Sequence, residues 1–199
     1  MKKFLLLALI IVTISSCVET IVIASGATAI AVTRQKSLED TKQDIIISAN
    51  IDKEIFLEGL ATPRNSVSAM VSEGRVLLCG TIRDLDKGKK LIASIWKIAG
   101  VKELIDEVEI DDKGLRTRDF TGIFLDSFIT AKIKSKLFFS RKAMAANFKI
   151  STVNSVVYVI GVAKNDLELK SMLETVSRTS SVKKVVNHAI LANDERRKE

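Results

Sequence analysis

The chain has 199 residues, of which 47% are hydrophobic and 28% charged, and its 31 Lys+Arg against 24 Asp+Glu give a formal net charge of +7. These proportions belong to an ordinary globular protein, exclude disorder throughout, and leave room for one large or two small domains. One Pro, one Trp and one His leave no second imidazole from which to build a histidine-based zinc site.

In chain order, an export signal comes first. Lys2 and Lys3 form a basic start, and Phe4 to Ile14 are apolar apart from Thr13, too short a run to cross a bilayer as a stable helix. The run ends Ile14-Ser15-Ser16-Cys17, which resembles the lipobox of bacterial lipoproteins: an aliphatic residue, two small residues, then the acylated cysteine. The resemblance implies a signal peptide over 1–16 and a mature chain beginning at Cys17, with S-diacylglycerol and N-acyl groups there and no other cofactor. Two or more inserted acyl chains, at about 0.8 kcal/mol per CH₂, make desorption negligible. Val18 stands where an Asp holds many such proteins in the inner membrane, so the resemblance points to the outer membrane and its periplasmic face. With Cys17 acylated, only Cys79 remains, and no internal disulfide can form. The apolar surroundings Val76-Leu77-Leu78-Cys79-Gly80 predict a buried thiol. Residues 18–33 are too short and too polar for a membrane span, and the segment 17–43 reads as the acylated N-terminus and tether.

The remainder is a duplication. At an offset of 82, Ile47, Ile51, Ile55 and Phe56 fall on Ile129, Ile133, Leu137 and Phe138. At 81, Val76, Leu78 and Gly80 fall on Val157, Val159 and Gly161, and Val101, Leu104 and Val108 on Val182, Val185 and Ala189. Each copy opens with a helix of i, i+4 apolar spacing. An alternating strand follows (Val67, Ala69, Val71; Phe148, Ile150), then a turn at Glu73-Gly74 or Asn154-Ser155, both suited to a hairpin. The next strand ends on a glycine. A second helix, over about 86–98 or 167–178, has Asp84 or Asn165 as its cap. A last strand covers 101–110 or 182–191. Since a hairpin and a parallel third strand need a crossover, the second helix supplies it. The expectation is an α+β protein of two tandem αββαβ domains, each a three-stranded mixed sheet with two helices on one face. The domains span 44–110 and 126–193, with a linker at 111–125 and a tail at 194–199.

This order of elements, the strands VLLCG and VYVIG, and the valines of GVKEL and SVKKV resemble the BON domain, a phospholipid-binding module of periplasmic and secreted bacterial proteins. Two copies behind a lipobox resemble the dual BON-domain outer-membrane lipoproteins, over residues 44 to 193. Ser181 in place of Gly100, and Asn154-Ser155 in place of a turn glycine, depart from the pattern but tolerate turn conformations.

Charge separates the copies. Residues 44–110 hold 9 basic and 11 acidic residues, a net of −2, whereas 126–193 hold 11 and 4, a net of +7. An anionic phospholipid surface attracts each nearby basic side chain by about 1 kcal/mol, so the second domain is the membrane-facing candidate. On its first helix, Leu125, Ile129, Ile133 and Leu137 read as the core ridge, beside an i+4 row of Phe124, Phe128, Lys132 and Lys136. Phenylalanines can enter a membrane interface while lysines reach phosphates, and the resemblance implies that phospholipid binds on this helix. The same residues leave open packing of the two phenylalanines against the first domain or the linker. Trp96, where the second copy has Ser177, is expected at an interdomain contact.

No catalytic triad or phosphate-cradling glycine loop is found, and His188 has no catalytic partner in the sequence pattern, so the reading is non-enzymatic. Basic charge can signal nucleic acid, but export argues against that partner. The expected partner is an anionic phospholipid membrane. The alternative is an anchored adaptor that docks an envelope protein or a peptidoglycan-associated partner. The resemblance adds a role in envelope integrity.

Overall fold

A computed structural model describes residues 38–62, 65, 67–111, 120–140 and 145–197. The expected signal peptide, Cys17, most of the tether and residues 112–119 of the linker lie outside the described residues, whereas residues 120–125, expected as linker, form the start of a helix. The described chain belongs to one compact unit, Arg34–Glu199.

The first copy consists of α1 (Leu38–Leu57), β1 (Ser68–Ser72), β2 (Arg75–Ile82), α2 (Leu85–Ile95) and β3 (Glu103–Ile110). The second repeats it with α3 (Phe120–Phe139), β4 (Phe148–Val153), β5 (Val156–Ala163), α4 (Asp166–Ser177), β6 (Lys184–Asn187) and β7 (Ile190–Leu191). The αββαβ order and the mixed sheet agree with the expectation. β1 pairs antiparallel to β2, and β2 parallel to β3 with Arg75 opposite Glu103. β4, β5 and β6 repeat this, with Val156 opposite Lys184. β7 continues β6 in the same register, Val162 opposite Ile190. The single strand expected over 182–191 is broken at His188-Ala189, where the Asn187 side chain accepts the Ala189 N–H at 3.1 Å.

Local chemistry sets these elements. Asp84 accepts the N–H groups of Asp86 and Lys87, and Asn165 that of Glu168, so both expected caps are present. Both hairpins are two-residue loops with left-handed backbone, φ 57° and 79° at Glu73-Gly74 and 53° and 65° at Asn154-Ser155, the twist that joins antiparallel strands without splaying them. Gly161 has φ 153°, and a Cβ there would stand 2.1 Å from the Asn147 carbonyl oxygen. Gly161 is thus required by the close approach of β4's start. Contrary to the expectation, it does not end its strand: β2 and β5 each run two residues past the glycine, where further backbone pairing to β3 and β7 continues the ladder.

Each sheet has two buried faces. In the first copy Val71, Val76, Leu78 and Ile82 pack under Ile47, Ile51 and Ile55 of α1 and Leu91 and Ile95 of α2. In the second, Ile150, Val157 and Val159 pack under Ile129, Ile133, Leu137, Met172 and Val176. The alternate residues of the strands meet between the domains: Met70, Leu77 and Cys79 against Val153, Tyr158 and Ile160. The result is four layers, helix, sheet, sheet, helix, with all three cores inside the unit from Arg34 to Glu199. Cys79 is fully buried, as expected, and its place is this interdomain core. A polar rim closes the contact. Arg75 donates to the His188 carbonyl at 3.1 Å, His188 Nε2 lies 2.8 Å from Glu107 Oε1, and Arg197 makes a two-pronged pair with Glu73 at 2.7 and 2.9 Å.

Two expectations are corrected. Trp96 is 51% exposed at the end of α2; it belongs to the helix layer, whereas the domains meet through the opposite faces of their sheets. Leu125 is 40% exposed and not part of the core ridge, because the neighbouring Asp126 turns inward to hold the hairpin.

Candidate functional site

α3 is held by three buried apolar residues one turn apart, Ile129, Ile133 and Leu137, and by one buried carboxylate. Asp126 is 3% exposed and accepts the N–H groups of Asn154 and Ser155 at 2.8 Å each. This pair of hydrogen bonds ties the N-terminal part of the helix to the β4–β5 turn. Asp44 does the same for Glu73 and Gly74 in the first copy, at 2.9 Å each.

With that side fixed inward, the opposite side must face water. Phe124 and Phe128 are 74% and 56% exposed, so among the described residues they are not sequestered against the first domain. Phe138 and Phe139 are 74% and 79% exposed and stack edge to face, 5.3 Å between centroids. At 3.6 residues per turn, Phe124, Phe128, Ala131, Ser135, Phe138 and Phe139 share a sector of about 100°, along about 22 Å of helix. Lys134 edges this stripe on one side, Lys132 and Lys136 on the other.

The ammonium groups are positioned. Lys132 Nζ donates to Ser180 Oγ at 2.6 Å and sits 5.9 Å from the Phe128 ring centroid. Lys136 Nζ donates to Thr179 Oγ1 at 3.0 Å. The two hydroxyls come from the loop after α4. Thr179 is 2% exposed and donates to the Thr175 carbonyl at 2.8 Å, so what collects along this margin of the stripe is two ammoniums and the exposed Ser180 hydroxyl. Such a margin can take phosphate oxygens, while the rings can take acyl chains.

The structure thus places all four expected residues, Phe124, Phe128, Lys132 and Lys136, on or beside one outward surface. Sequence reasoning overlooked Phe138 and Phe139, because the repeat aligned Phe138 with the buried ridge. A helical wheel drawn from Ile129, Ile133 and Leu137 puts both opposite the core, so the signal was present. Thr179 and Ser180 had none, since their closeness to α3 exists only after folding.

The first copy carries a different version. The positions matching the stripe are Lys42, Ile46, Ala49, Lys53, Phe56 and Leu57, and those matching Lys132, Lys134 and Lys136 are Asn50, Asp52 and Glu54. Ile98 and Ala99 stand in place of the two hydroxyl residues. Among the described residues no helix is long and apolar enough to cross a membrane.

Comparison with known proteins matches the BON domain family over residues 43–112 and again over 126–193. The chain is 33% identical over 155 residues to an uncharacterized protein in the gshII 5′ region of Anaplasma centrale, covering 78% of this chain and 99% of that one. It is 26% identical over 187 residues to the outer membrane lipoprotein DolP of Haemophilus influenzae, covering 94% of each. Among solved structures, CdsD, a structural protein of the type III secretion system of Chlamydia trachomatis, aligns over 72% of this chain and 90% of its own at 15% identity, with a TM-score of 0.31.

Proposed function

The chain belongs to the BON domain family, with two copies, and from that premise we propose that it is a lipid-anchored outer-membrane protein facing the periplasm, whose second domain binds anionic phospholipid and supports envelope integrity. Its likeness to an outer membrane lipoprotein over 94% of the chain supports the location, and the lipobox supports anchoring through acyl groups on Cys17. The role is binding rather than catalysis.

One observation carries the reading: the outward face of α3 combines four exposed phenylalanines with three lysines at its margins. A helix lying in the interface buries such a stripe at the acyl boundary while the ammonium groups reach headgroups. The first domain, net −2, gains nothing from an anionic surface.

The test is flotation of the excised unit Arg34–Glu199, which contains all three cores, with vesicles of phosphatidylglycerol and phosphatidylcholine or of phosphatidylcholine alone. Binding is expected only to the anionic vesicles. Loss of two attractions of about 1 kcal/mol each weakens binding about 30-fold, so Lys132→Glu/Lys136→Glu is expected to exceed that loss. Phe128→Asp is expected to abolish binding. Unchanged flotation of a folded double variant would remove this site. For the anchor, mass spectrometry of the mature protein is expected to find Cys17 acylated; a free thiol there would leave an unanchored protein.

A further inference from the structure

The two copies present the same kind of helix in the same place with opposite margins. α1 and α3 are both 20 residues long. α1 carries five acidic and two basic residues, α3 one acidic and three basic. One aspartate in each, Asp44 or Asp126, is buried and used by its own turn. Asp40 lies on the inner side of α1, half-buried and near Arg197. Three acids, Glu39, Asp52 and Glu54, and two bases thus face outward on α1, with Glu39 paired to Lys42 at 3.6 Å, and three bases face outward on α3. The outer face of α1 is also apolar: Ile46, Phe56 and Leu57 are 54%, 72% and 62% exposed. Asp52 and Glu54 stand where α3 has Lys134 and Lys136.

Exposed apolar side chains gathered on one face mark an interaction surface. An acid-edged face is repelled by an anionic bilayer, so the occupant of α1 must be basic and apolar at once. The chain itself offers such a surface on α3. Within one molecule the two cannot meet, because α1 and α3 are the outer layers of a four-layer stack with both sheets between them. Like faces match less well: α3 on α3 brings together lysines with no outward acid, and α1 on α1 sets its acids against only Lys42 and Lys53.

We propose that the acid-edged outer face of α1 docks the lysine-edged outer face of α3 of a second copy of this chain, giving head-to-tail association. Both faces run the length of a helix of about 30 Å, and both end on an exposed aromatic pair or its equivalent, Phe56-Leu57 and Phe138-Phe139. Lys53, the one cation near the middle of the α1 face, corresponds to uncharged Ser135 on α3. Such a contact uses different surfaces on its two sides, so it propagates into a ring or a filament instead of stopping at a dimer. The association stands on charge and exposure alone. Only the corollary that anionic lipid competes for α3 rests on the function proposed above.

The experiment is sedimentation velocity on the excised unit at low and high salt, with a complementation pair. Wild type is expected to associate as concentration rises and to dissociate with added salt. Asp52→Lys/Glu54→Lys carries two basic faces and Lys134→Glu/Lys136→Glu two acidic ones, so each alone is expected to sediment as a monomer. An equimolar mixture is expected to associate again. All four positions are at the surface, and thermal unfolding checks that each variant is folded. Phe56→Ser, which leaves charge untouched, is expected to weaken association at least tenfold. A wild type that stays monomeric to millimolar concentration, or a charge variant that associates by itself, overturns the proposal. A monomeric wild type that still floats with anionic vesicles removes this inference and leaves the lipid reading standing; association without flotation does the reverse.

Discussion

Asp44 and Asp126 each accept two backbone N–H groups from the hairpin turn of their own domain, so removing either strands one buried and one half-buried donor. Hydrogen bonds to charged groups are worth about 1.5–3 kcal/mol each. Asp126→Ala is therefore expected to cost about 3 kcal/mol or more in urea unfolding, while Asp126→Asn, which keeps one acceptor oxygen, is expected to cost less. The turn it holds contains a second opportunity. Ser155 sits at φ 65°, a conformation that costs an L side chain about 1 kcal/mol, and the matching residue of the first copy is Gly74. Ser155→Gly is expected to raise the unfolding free energy by up to about 1 kcal/mol, and a lower midpoint would show that the Ser155 hydroxyl matters more than its backbone. Gly161 admits no such freedom. Gly161→Ala forces a methyl to 2.1 Å from a carbonyl oxygen and is expected to cost more than about 2 kcal/mol by the same measurement.

At the scale of the element, α3 has two faces of opposite exposure. Its inner ridge of Ile129, Ile133 and Leu137 is buried to 1% or less, and each truncation to Ala is expected to cost about 2–5 kcal/mol in stability while leaving vesicle affinity per folded molecule unchanged. Its outer residues behave in the opposite way. Phe138→Ser/Phe139→Ser removes two rings that are more than 70% exposed, so stability is expected to stay within about 0.5 kcal/mol, whereas flotation with anionic vesicles is expected to fall. Unchanged flotation would confine the site to the Phe124, Phe128, Lys132, Lys136 row. α1, built on the same inner ridge, changes both its margins and its stripe, with Lys42, Ile46 and Lys53 in place of Phe124, Phe128 and Ser135, so the two domains share a fold but present different outer surfaces.

At the scale of the molecule, the two sheets are joined through Met70, Leu77, Cys79, Val153, Tyr158 and Ile160, all buried to 7% or less. A shared core of this kind couples the domains, so calorimetry of the unit is expected to show one transition, with equal calorimetric and van't Hoff enthalpies. Ile160→Asp, which buries an unpaired carboxylate between the sheets, is expected to split or lower that transition. Two transitions in the wild type would instead mean that the interdomain core is too weak to couple the halves. The back-to-back arrangement also decides presentation. It consumes one face of each sheet and leaves the helices outermost, so the acidic α1 and the basic α3 look away from each other.

By itself the sequence determined the duplication, the αββαβ order, the mixed sheets and both helix caps, since these follow from local periodicity, turn chemistry and the need for a crossover. It also marked Phe124, Phe128, Lys132 and Lys136, because a charge contrast between copies and an i+4 row are readable in one dimension. The inner ridge of Ile129, Ile133 and Leu137 also placed Phe138 and Phe139 on the wet side of α3, a signal present in the helical wheel though obscured by aligning the repeats. Tertiary structure alone decided that Thr179 and Ser180 meet the lysines, and that the second faces of both sheets bury each other. A strand buried on both sides shows only an unbroken apolar run, as in VLLC and VVYVI, and such a run does not say what covers it. The partner of each face is fixed by packing between segments far apart in the chain.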